Sequence, residues 1–205
     1  MARSAPRPPS SPKSPATYAD LEAVPTHLVA EIVFGTLVTH PRPAPPHAVA
    51  TGALQIELGG PFQKGRGGPG GWIFGFEPEL HLGPHVVVPD LAGWRRERLL
   101  TMPTTAYIET PPDWVCEVIS PSTEKHDKGP KRRIYATYGV GHLWHLEPVV
   151  RMLEVFELRD AHWVLLEAYQ GEEEVKARPF DAITFSLADL FPLDPPPANE
   201  PEGEA

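Results

Sequence analysis

Two short apolar runs in this chain each carry an acid where a strand would otherwise present a hydrophobic side chain. The run at residues 86–88 leads through Pro89 to Asp90, and the run at residues 114–119 contains Glu117. Both runs are rich in β-branched and aromatic residues, which predicts strands. A carboxylate among apolar strand residues is costly unless it is paired or binds a metal. Either acid alone could instead be a hydrogen-bond acceptor in or at the end of a strand.

A basic segment follows the second run and predicts a helix over residues 130–138. In that helix Lys131 shares a face with Ile134 and Tyr135, and this face must pack inward. The alternative is a snorkelling lysine at the helix start. Two carboxylates can hold a hard cation, and a nearby ammonium can organise a nucleophile or stabilise developing charge. This combination is typical of phosphodiester hydrolysis.

The remaining patterns predict a sheet flanked by helices, an α/β or α+β arrangement without internal repeats. Thr17 is a plausible cap for a first helix, a hairpin turns at residues 34–35, and residues 59–71 form a flexible glycine-rich loop. The other predicted elements are helices at 18–28 and 47–58, strands at 72–82, 85–91, 142–146, 153–158, 163–169 and 182–185, and a helical turn at 187–191.

Proline usage divides the chain into one domain and two tails. Of 27 prolines, 10 lie in the 30 positions formed by residues 1–16 and 192–205. Neither stretch shows apolar periodicity, so we predict disordered tails, rich in proline at the start and in proline and glutamate at the end. Residues 17–191 are long enough for a single buried core.

Charge, cysteine content and hydropathy narrow the class of protein. A net charge of −9 argues against tight non-specific binding to nucleic acid, although five of the 18 basic residues fall within positions 125–133. The single cysteine, Cys116, excludes an internal disulfide and is expected to be a small buried hydrophobe. No apolar stretch approaches the roughly 18 residues of a membrane span. We therefore expect a cytoplasmic protein that does not cross a membrane.

These motifs together resemble the bacterial Uma family, which groups proposed restriction endonucleases within the PD-(D/E)-x-K nuclease superfamily. The resemblance covers roughly residues 17–191. It is carried by the hairpin that begins with Glu31, by Pro89-Asp90, by the Glu-x-Ile-Ser-Pro-Ser-Thr string at 117–123, and by Asp-x-x-x-Lys-x-x-x-Tyr at 127–135.

The resemblance implies a restriction-endonuclease-like core, a mixed β-sheet flanked by helices, and a DNA substrate. It also implies that Asp90 and Glu117 hold Mg²⁺, with Mn²⁺ as an alternative, helped by the Val118 carbonyl. The superfamily lysine normally stands two residues after the acid, where this chain has Ile119. In the Uma pattern Lys131 takes its place as the third catalytic residue.

Two further residues, Glu31 and His47, match family positions outside the expected catalytic set. Glu31 could be an accessory metal ligand, but we interpret it as an anchor of the hairpin. For His47 we predict helix capping or packing rather than metal binding, and the histidine spacing does not predict a zinc site.

The leading hypothesis is a Mg²⁺-dependent endonuclease that acts on DNA, with a homodimer expected if both strands are cut. One alternative is a non-catalytic binding or assembly module with the same fold, which Ile119 and the acidic charge favour. Another is a metal-dependent hydrolase acting on nucleotides or RNA.

Overall fold

The structure is a computed structural model that describes residues 14–192. Most of the two predicted tails, 1–16 and 192–205, therefore lies outside the described residues. At the end of the first predicted tail, the Ala16 N–H donates a 2.8 Å hydrogen bond to the Gly35 carbonyl. None of the helices in the described part combines the length and apolar composition needed to cross a membrane.

The described part of the chain forms three runs of consecutive strands separated by helical segments. The helical elements are α1 (Tyr18–Glu22), α2 (Pro45–Leu58), α3 (Glu124–His126) and α4 (Arg132–Thr137), with π-helical turns at Gly59–Gln63 and Asp127–Lys131 and a 3-10 turn at Leu187–Leu190. The strands are β1 (Leu28–Val33), β2 (Thr36–Pro41), β3 (Trp72–Phe76), β4 (Leu80–Leu82), β5 (His85–Val87), β6 (Leu91–Arg95), β7 (Trp114–Val118), β8 (His142–Glu147), β9 (Met152–Arg159), β10 (His162–Gln170), β11 (Glu174–Val175) and β12 (Phe185–Ser186).

A six-stranded mixed sheet in the order β10-β9-β8-β7-β6-β3 forms the centre of the fold. Its neighbouring strands are antiparallel except β7 and β8, which run parallel with Glu117 opposite His145. A parallel pair requires a crossover connection. Here the crossover consists of α3, the π-helical turn at Asp127–Lys131 and α4. This helical segment therefore lies across the sheet beside Glu117.

Alternation of side chains along β7 gives the sheet two apolar faces. Trp114, Cys116 and Val118 pack on one face, in a cluster that includes residues of α2 and of β12. Val115 packs on the other face with residues of α4 and of the second sheet. Since alternate residues of a strand share a face, Glu117 points to the same side as Val115. Cys116 is fully buried, as predicted, and burial raises the pKa of its thiol well above the usual range.

A second sheet, in the order β2-β1-β5-β4, covers part of the face that carries Glu117. The predicted hairpin is confirmed as β1 and β2, which turn at Phe34 and Gly35. Both turn residues have positive φ, 49° and 75°, as a two-residue type I′ turn requires, and glycine adopts this conformation without steric cost. Ile32 of β1 pairs with Val86 of β5, which joins the hairpin to the segment that leads to Asp90.

The predicted mixed sheet flanked by helices is confirmed, and several bounds differ for local reasons. The first helix ends at Glu22 rather than at residue 28, because Pro25 has no N–H and disfavours a helical conformation at the residue before it. Its predicted cap is confirmed, since Thr17 Oγ1 accepts a 3.3 Å hydrogen bond from the Asp20 N–H. Helix α2 begins at Pro45, two residues earlier than predicted, with proline in the first turn.

The two strands predicted over residues 72–91 are in fact four, β3 to β6. The first break contains Pro78, and the last contains Pro89, which cannot donate a ladder hydrogen bond. Asp90 consequently lies between β5 and β6 rather than within one strand. The predicted glycine-rich loop is also partly regular, because its first residues, Gly59–Gln63, continue α2 as a π-helical turn.

The helix predicted to begin at Pro130 begins six residues earlier, at Glu124. Pro130 lies inside the π-helical turn rather than in the first turn of the helix. The predicted inward face is nevertheless confirmed, because Lys131, Ile134 and Tyr135 are all buried.

Phe180 offers a test of the larger apolar cluster, since its ring contacts Phe62, Trp72, Phe74, Trp114 and Trp144. Phe180→Ala is expected to lower the free energy of unfolding by about 3–5 kcal/mol through lost burial and the cavity left behind. Urea denaturation measures the change. Leu165→Ala, at a half-exposed position of β10, is the control, expected to change stability by less than about 1.5 kcal/mol. Equal losses in the two variants would contradict the assigned core.

Candidate active site

A cavity of about 300 Å³ opens on the face of the sheet that carries Glu117. One wall is the connection between β2 and α2, and another is the turn after β7. The cavity walls include all three residues predicted to be catalytic together with other polar side chains, namely Asp90, Glu117, Lys131, Arg42, His47 and Asp127.

Asp90 is held at both carboxylate oxygens. Its Oδ2 accepts a 2.7 Å hydrogen bond from the backbone N–H of Val118, and its Oδ1 lies 3.1 Å from His47 Nε2. The side chain is 16% exposed. Because one contact comes from β7 and the other from α2, the carboxylate has a defined orientation at the cavity wall.

Glu117 lies deeper, with a side chain that is only 2% exposed. Its Oε1 accepts a 2.5 Å hydrogen bond from the Tyr135 hydroxyl and lies 2.8 Å from Lys131 Nζ. Among the described residues, no donor forms a hydrogen bond to its Oε2. One oxygen of this carboxylate is therefore engaged by α4 and the preceding turn, and the other carries no such contact.

Lys131 places a buried ammonium among acids from three different parts of the chain. Its Nζ lies 2.8 Å from Glu117, 3.2 Å from Glu31 and 3.4 Å from Asp127, and it donates a 3.2 Å hydrogen bond to the Val88 carbonyl. The side chain is 2% exposed. The prediction that Lys131 points inward is confirmed. Its ammonium contacts the carboxylate of Glu117, two residues before Ile119.

The π-helical turn explains how Lys131 reaches this position. A π turn adds one residue to a helix and occurs frequently at functional sites. Pro130 lies within it and has no N–H to donate. Asp127 and Lys131, at its two ends, approach to 3.4 Å, so the Asp-x-x-x-Lys spacing brings an acid and a base together in the cavity wall.

The charges in this cluster are strongly coupled. Burial raises the pKa of Glu31, but the Lys131 ammonium and hydrogen bonds from His126 and the Val88 N–H outweigh burial and hold this pKa at about 2. Burial lowers the pKa of Lys131, yet the carboxylates of Glu117 and Glu31 raise it well above its usual range. Lys131 and Glu31 therefore form an ionised pair at neutral pH.

Glu117 behaves differently from the other members of the cluster. Burial raises its pKa well above the usual range, and the nearby carboxylates of Asp127, Asp90 and Glu31 raise it further, while Lys131 opposes them. Added positive charge beside it would favour its ionised form.

Three histidines were not predicted to contribute to the site. His47 does not cap α2, because the cap residue is Ala44, and its ring contacts Asp90 instead. The Asp90 carboxylate raises the pKa of His47 despite the opposing effect of burial. His126 Nε2 lies 2.9 Å and His40 Nε2 lies 3.7 Å from Glu31 Oε2.

Glu31 anchors its hairpin through contacts with other segments of the chain. Its Oε1 accepts a 2.7 Å hydrogen bond from the Val88 N–H, which ties β1 to the segment after β5. No local sequence pattern indicated that His47 belongs to this site, because its position depends on how α2 packs beside the sheet. The Asp-x-x-x-Lys spacing was the one local signal for Asp127.

The donor chemistry fits a hard divalent cation. Within residues 14–192, no three His, Cys, Asp or Glu side chains form a group arranged to hold a metal. Mg²⁺ does not require such a group, since proteins often bind it through one or two carboxylates and several waters. Asp90 and Glu117 line the same cavity, and Glu117 Oε2 carries no hydrogen bond from the described residues, so these two carboxylates could supply the protein ligands.

The mixed sheet with its helical crossover belongs to the restriction-endonuclease-like class of folds, and comparison with known proteins agrees. A family model named Uma2 and described as "Putative restriction endonuclease" matches residues 15–188. The chain belongs to this Uma2 family.

The chain is also similar to a crystal structure from Anabaena variabilis described as a "putative nuclease belonging to DUF820". The two share 18% sequence identity with a TM-score of 0.71, over 87% of this chain and 98% of that chain. At this identity the similarity shows a common fold. No curated protein matches the chain significantly.

The buried ammonium is expected to be essential for stability. Lys131→Met should lower the free energy of unfolding at pH 7 by about 3–5 kcal/mol, because it leaves buried carboxylates without their cation. Urea denaturation provides the measurement. Lys125→Met, at an exposed position of α3, is the matched control and should change stability by less than about 0.5 kcal/mol. Similar midpoints for both variants would show that the cluster does not depend on Lys131.

Glu31 is expected to make stability depend on pH in the acid range. Its folded pKa of about 2 lies below the ordinary value of 4.5, so its contribution is present above pH 4.5 and is lost as the pH falls towards 2. A shift of this size corresponds to about 3 kcal/mol, of which about 2 kcal/mol is lost between pH 6 and pH 3. The difference in unfolding free energy between wild type and Glu31→Gln should shrink by that amount.

Urea denaturation at pH 6, 4 and 3 tests this expectation. Glu172→Gln, at an exposed position, should differ from wild type by a small and constant amount across the same range. A difference between wild type and Glu31→Gln that does not change with pH would contradict the ionised Glu31–Lys131 pair.

Proposed function

We propose that this protein is a metal-dependent endonuclease that hydrolyses phosphodiester bonds of DNA, with Mg²⁺ or Mn²⁺ as the cation. Asp90 and Glu117 are the proposed metal ligands, and Lys131 is the proposed third catalytic residue. The observation that carries the proposal is their convergence on one cavity from positions 90, 117 and 131. Membership of a family described as "Putative restriction endonuclease" supports the same class of substrate.

Each residue has a distinct role in this proposal. Asp90 offers a carboxylate whose orientation is fixed by the Val118 N–H and by His47. Glu117 offers its Oε2 to the cation while Lys131 and Tyr135 hold its Oε1. A divalent cation bound there would lower the pKa of a bound water and neutralise charge on the phosphate.

Lys131 contributes a fixed positive charge rather than a mobile one. Its buried ammonium stays protonated because carboxylates surround it, so it can orient a water or stabilise negative charge that develops on the phosphoryl oxygens. Charges already oriented before the reaction need no reorganisation when the transition state forms, which makes this kind of stabilisation effective. Glu31 and Asp127 keep the ammonium beside Glu117.

Plasmid cleavage by the purified protein with Mg²⁺ or Mn²⁺ tests the proposal. Asp90→Asn and Glu117→Gln are each expected to lower the cleavage rate by about 100-fold or more, since each removes a ligand of the cation. Lys131→Arg keeps a positive charge but changes its shape, and should lower the rate while the protein stays folded. Excess EDTA should abolish cleavage by the wild type.

The controls are Asp181→Asn and Glu172→Gln, which make the same chemical changes at exposed positions outside the cavity. Both should cleave at the wild-type rate. Equal cleavage by wild type, Asp90→Asn and Glu117→Gln would identify a contaminating nuclease. Calorimetry with Mn²⁺ gives a reading independent of activity, and uptake that is unchanged in Asp90→Asn would contradict the proposed ligands.

A homodimer is part of the proposal only if both strands of a duplex are cut. Two copies of one active site can each act on one strand, because a symmetric dimer presents the same site twice. Sedimentation of the protein with and without duplex DNA measures the oligomeric state.

A further inference from the structure

The cavity contains little positive charge that is free to meet a substrate. Among the described residues that line it, Arg42 and Lys131 are the permanent cations, whereas Glu77, Asp90, Glu117 and Asp127 are acids. Lys131 is buried and contacts three carboxylates. A phosphodiester that approaches this acidic wall needs a compensating cation with access to solvent, and the Lys131 side chain is only 2% exposed.

Arg42 is the cation with access to solvent. It follows β2 at the edge of the cavity, and its side chain is 57% exposed. Its Nη1 lies 3.1 Å from Glu77 Oε2, and its Nη2 donates a long 3.4 Å hydrogen bond to the Thr26 carbonyl. Within residues 14–192 its guanidinium contacts just these two acceptors. An arginine has five N–H donors in a planar arrangement that suits phosphate oxygens, so most of its donor capacity remains available.

Glu77 positions this guanidinium on the Asp90 side of the cavity. The backbone N–H of Glu77 donates a 3.0 Å hydrogen bond to the Asp90 carbonyl, so the two residues are tied together. Glu77 also has a positive φ of 42°, an uncommon conformation for a residue other than glycine. The backbone of the residue that pairs with Arg42 is therefore held beside a proposed metal ligand.

We propose that Arg42 binds a phosphate of the nucleic-acid substrate at the cavity edge, and that this phosphate replaces Glu77 as the partner of the guanidinium. The inference rests on the proposed function and adds a residue that contacts substrate. An exposed ion pair such as Arg42–Glu77 contributes little to stability, so it can be exchanged at small cost. The new partner carries the same charge sign as Glu77 and offers oxygens that match the guanidinium in two places.

Salt dependence of binding tests this contact. Each phosphate that a cation neutralises steepens the fall of log K with log salt concentration by about 0.7 for a single strand and about 0.9 for a duplex. Fluorescence anisotropy with labelled single-stranded and duplex oligonucleotides, with Ca²⁺ in place of Mg²⁺ to slow hydrolysis, gives affinity over a range of KCl concentrations. Arg42→Gln should weaken binding about tenfold. It should also make the slope shallower by about 0.7 for the single strand and about 0.9 for the duplex.

Arg98→Gln is the matched control. Arg98 is also an exposed arginine paired with a carboxylate, 2.6 Å from Asp113, but it does not line the cavity. It should leave both affinity and slope at the wild-type values. Thermal unfolding of the two variants checks that both remain folded.

Glu77→Gln provides a change in the opposite direction. It removes the carboxylate that competes with phosphate, so it should tighten binding by about two- to fivefold. The double variant Glu77→Gln/Arg42→Gln should bind like Arg42→Gln alone, because the gain depends on the guanidinium. A purely structural role for the pair would weaken binding in all three variants.

The outcomes separate this inference from the proposed function. Equal affinities and slopes for Arg42→Gln and Arg98→Gln overturn the Arg42 contact, even if the protein cleaves DNA. Binding that depends on Arg42 without any hydrolysis supports the contact and contradicts the nuclease reaction alone. A wild-type protein that binds neither oligonucleotide at low salt overturns both.

Discussion

The structure around the cavity depends on one buried ammonium. Lys131 has contacts with acids that come from β1, from β7 and from its own helical segment. Carboxylates confined in an apolar interior repel one another, and a single central cation makes their proximity tolerable. Removing the charge of any one of these groups changes the electrostatic energy of the others. The same residues therefore contribute to stability and to the proposed chemistry.

The cluster also joins the two sheets at a polar site beside the apolar residues that they share. Glu31 accepts a hydrogen bond from Val88 with one oxygen and contacts His126 with the other. Lys131 donates to the carbonyl of the same Val88. Buried polar groups are tolerated when each finds a partner, and here the partners come from the hairpin, the crossover helix and the segment before Asp90.

The sequence was informative where helix or strand periodicity or turn residues carried the signal. The alternation around Glu117 correctly placed this acid on one face of a strand, and the spacing from Lys131 to Tyr135 correctly placed the lysine on a packed helix face. The hairpin at Gly35 followed from its turn residues. These features depend on neighbours within a few positions, where strand and helix periodicity determine which way a side chain points.

Contacts between distant segments could not be read in this way. Arg42 reaches the cavity from the connection between β2 and α2, and His47 reaches it from the first turn of α2. No local pattern encodes that approach. The pairing of Ile32 with Val86 spans more than fifty positions and joins two short strands with unremarkable compositions. The wrong element bounds have a different, local cause. Pro25, Pro78 and Pro89 each lack a backbone donor, and they shortened or divided the predicted elements.

The extra residue in the helical segment before Lys131 has a consequence for sequence change in this region. Each residue of a regular helix turns the following side chains by about 100° and advances them by about 1.5 Å. Deleting one residue from the π-helical turn would restore a more regular spiral, but every later side chain would rotate relative to the sheet. A more regular helix here would thus move the Lys131 ammonium away from Glu117. The number of residues in this stretch should therefore tolerate less change than the type of residue at most of its positions.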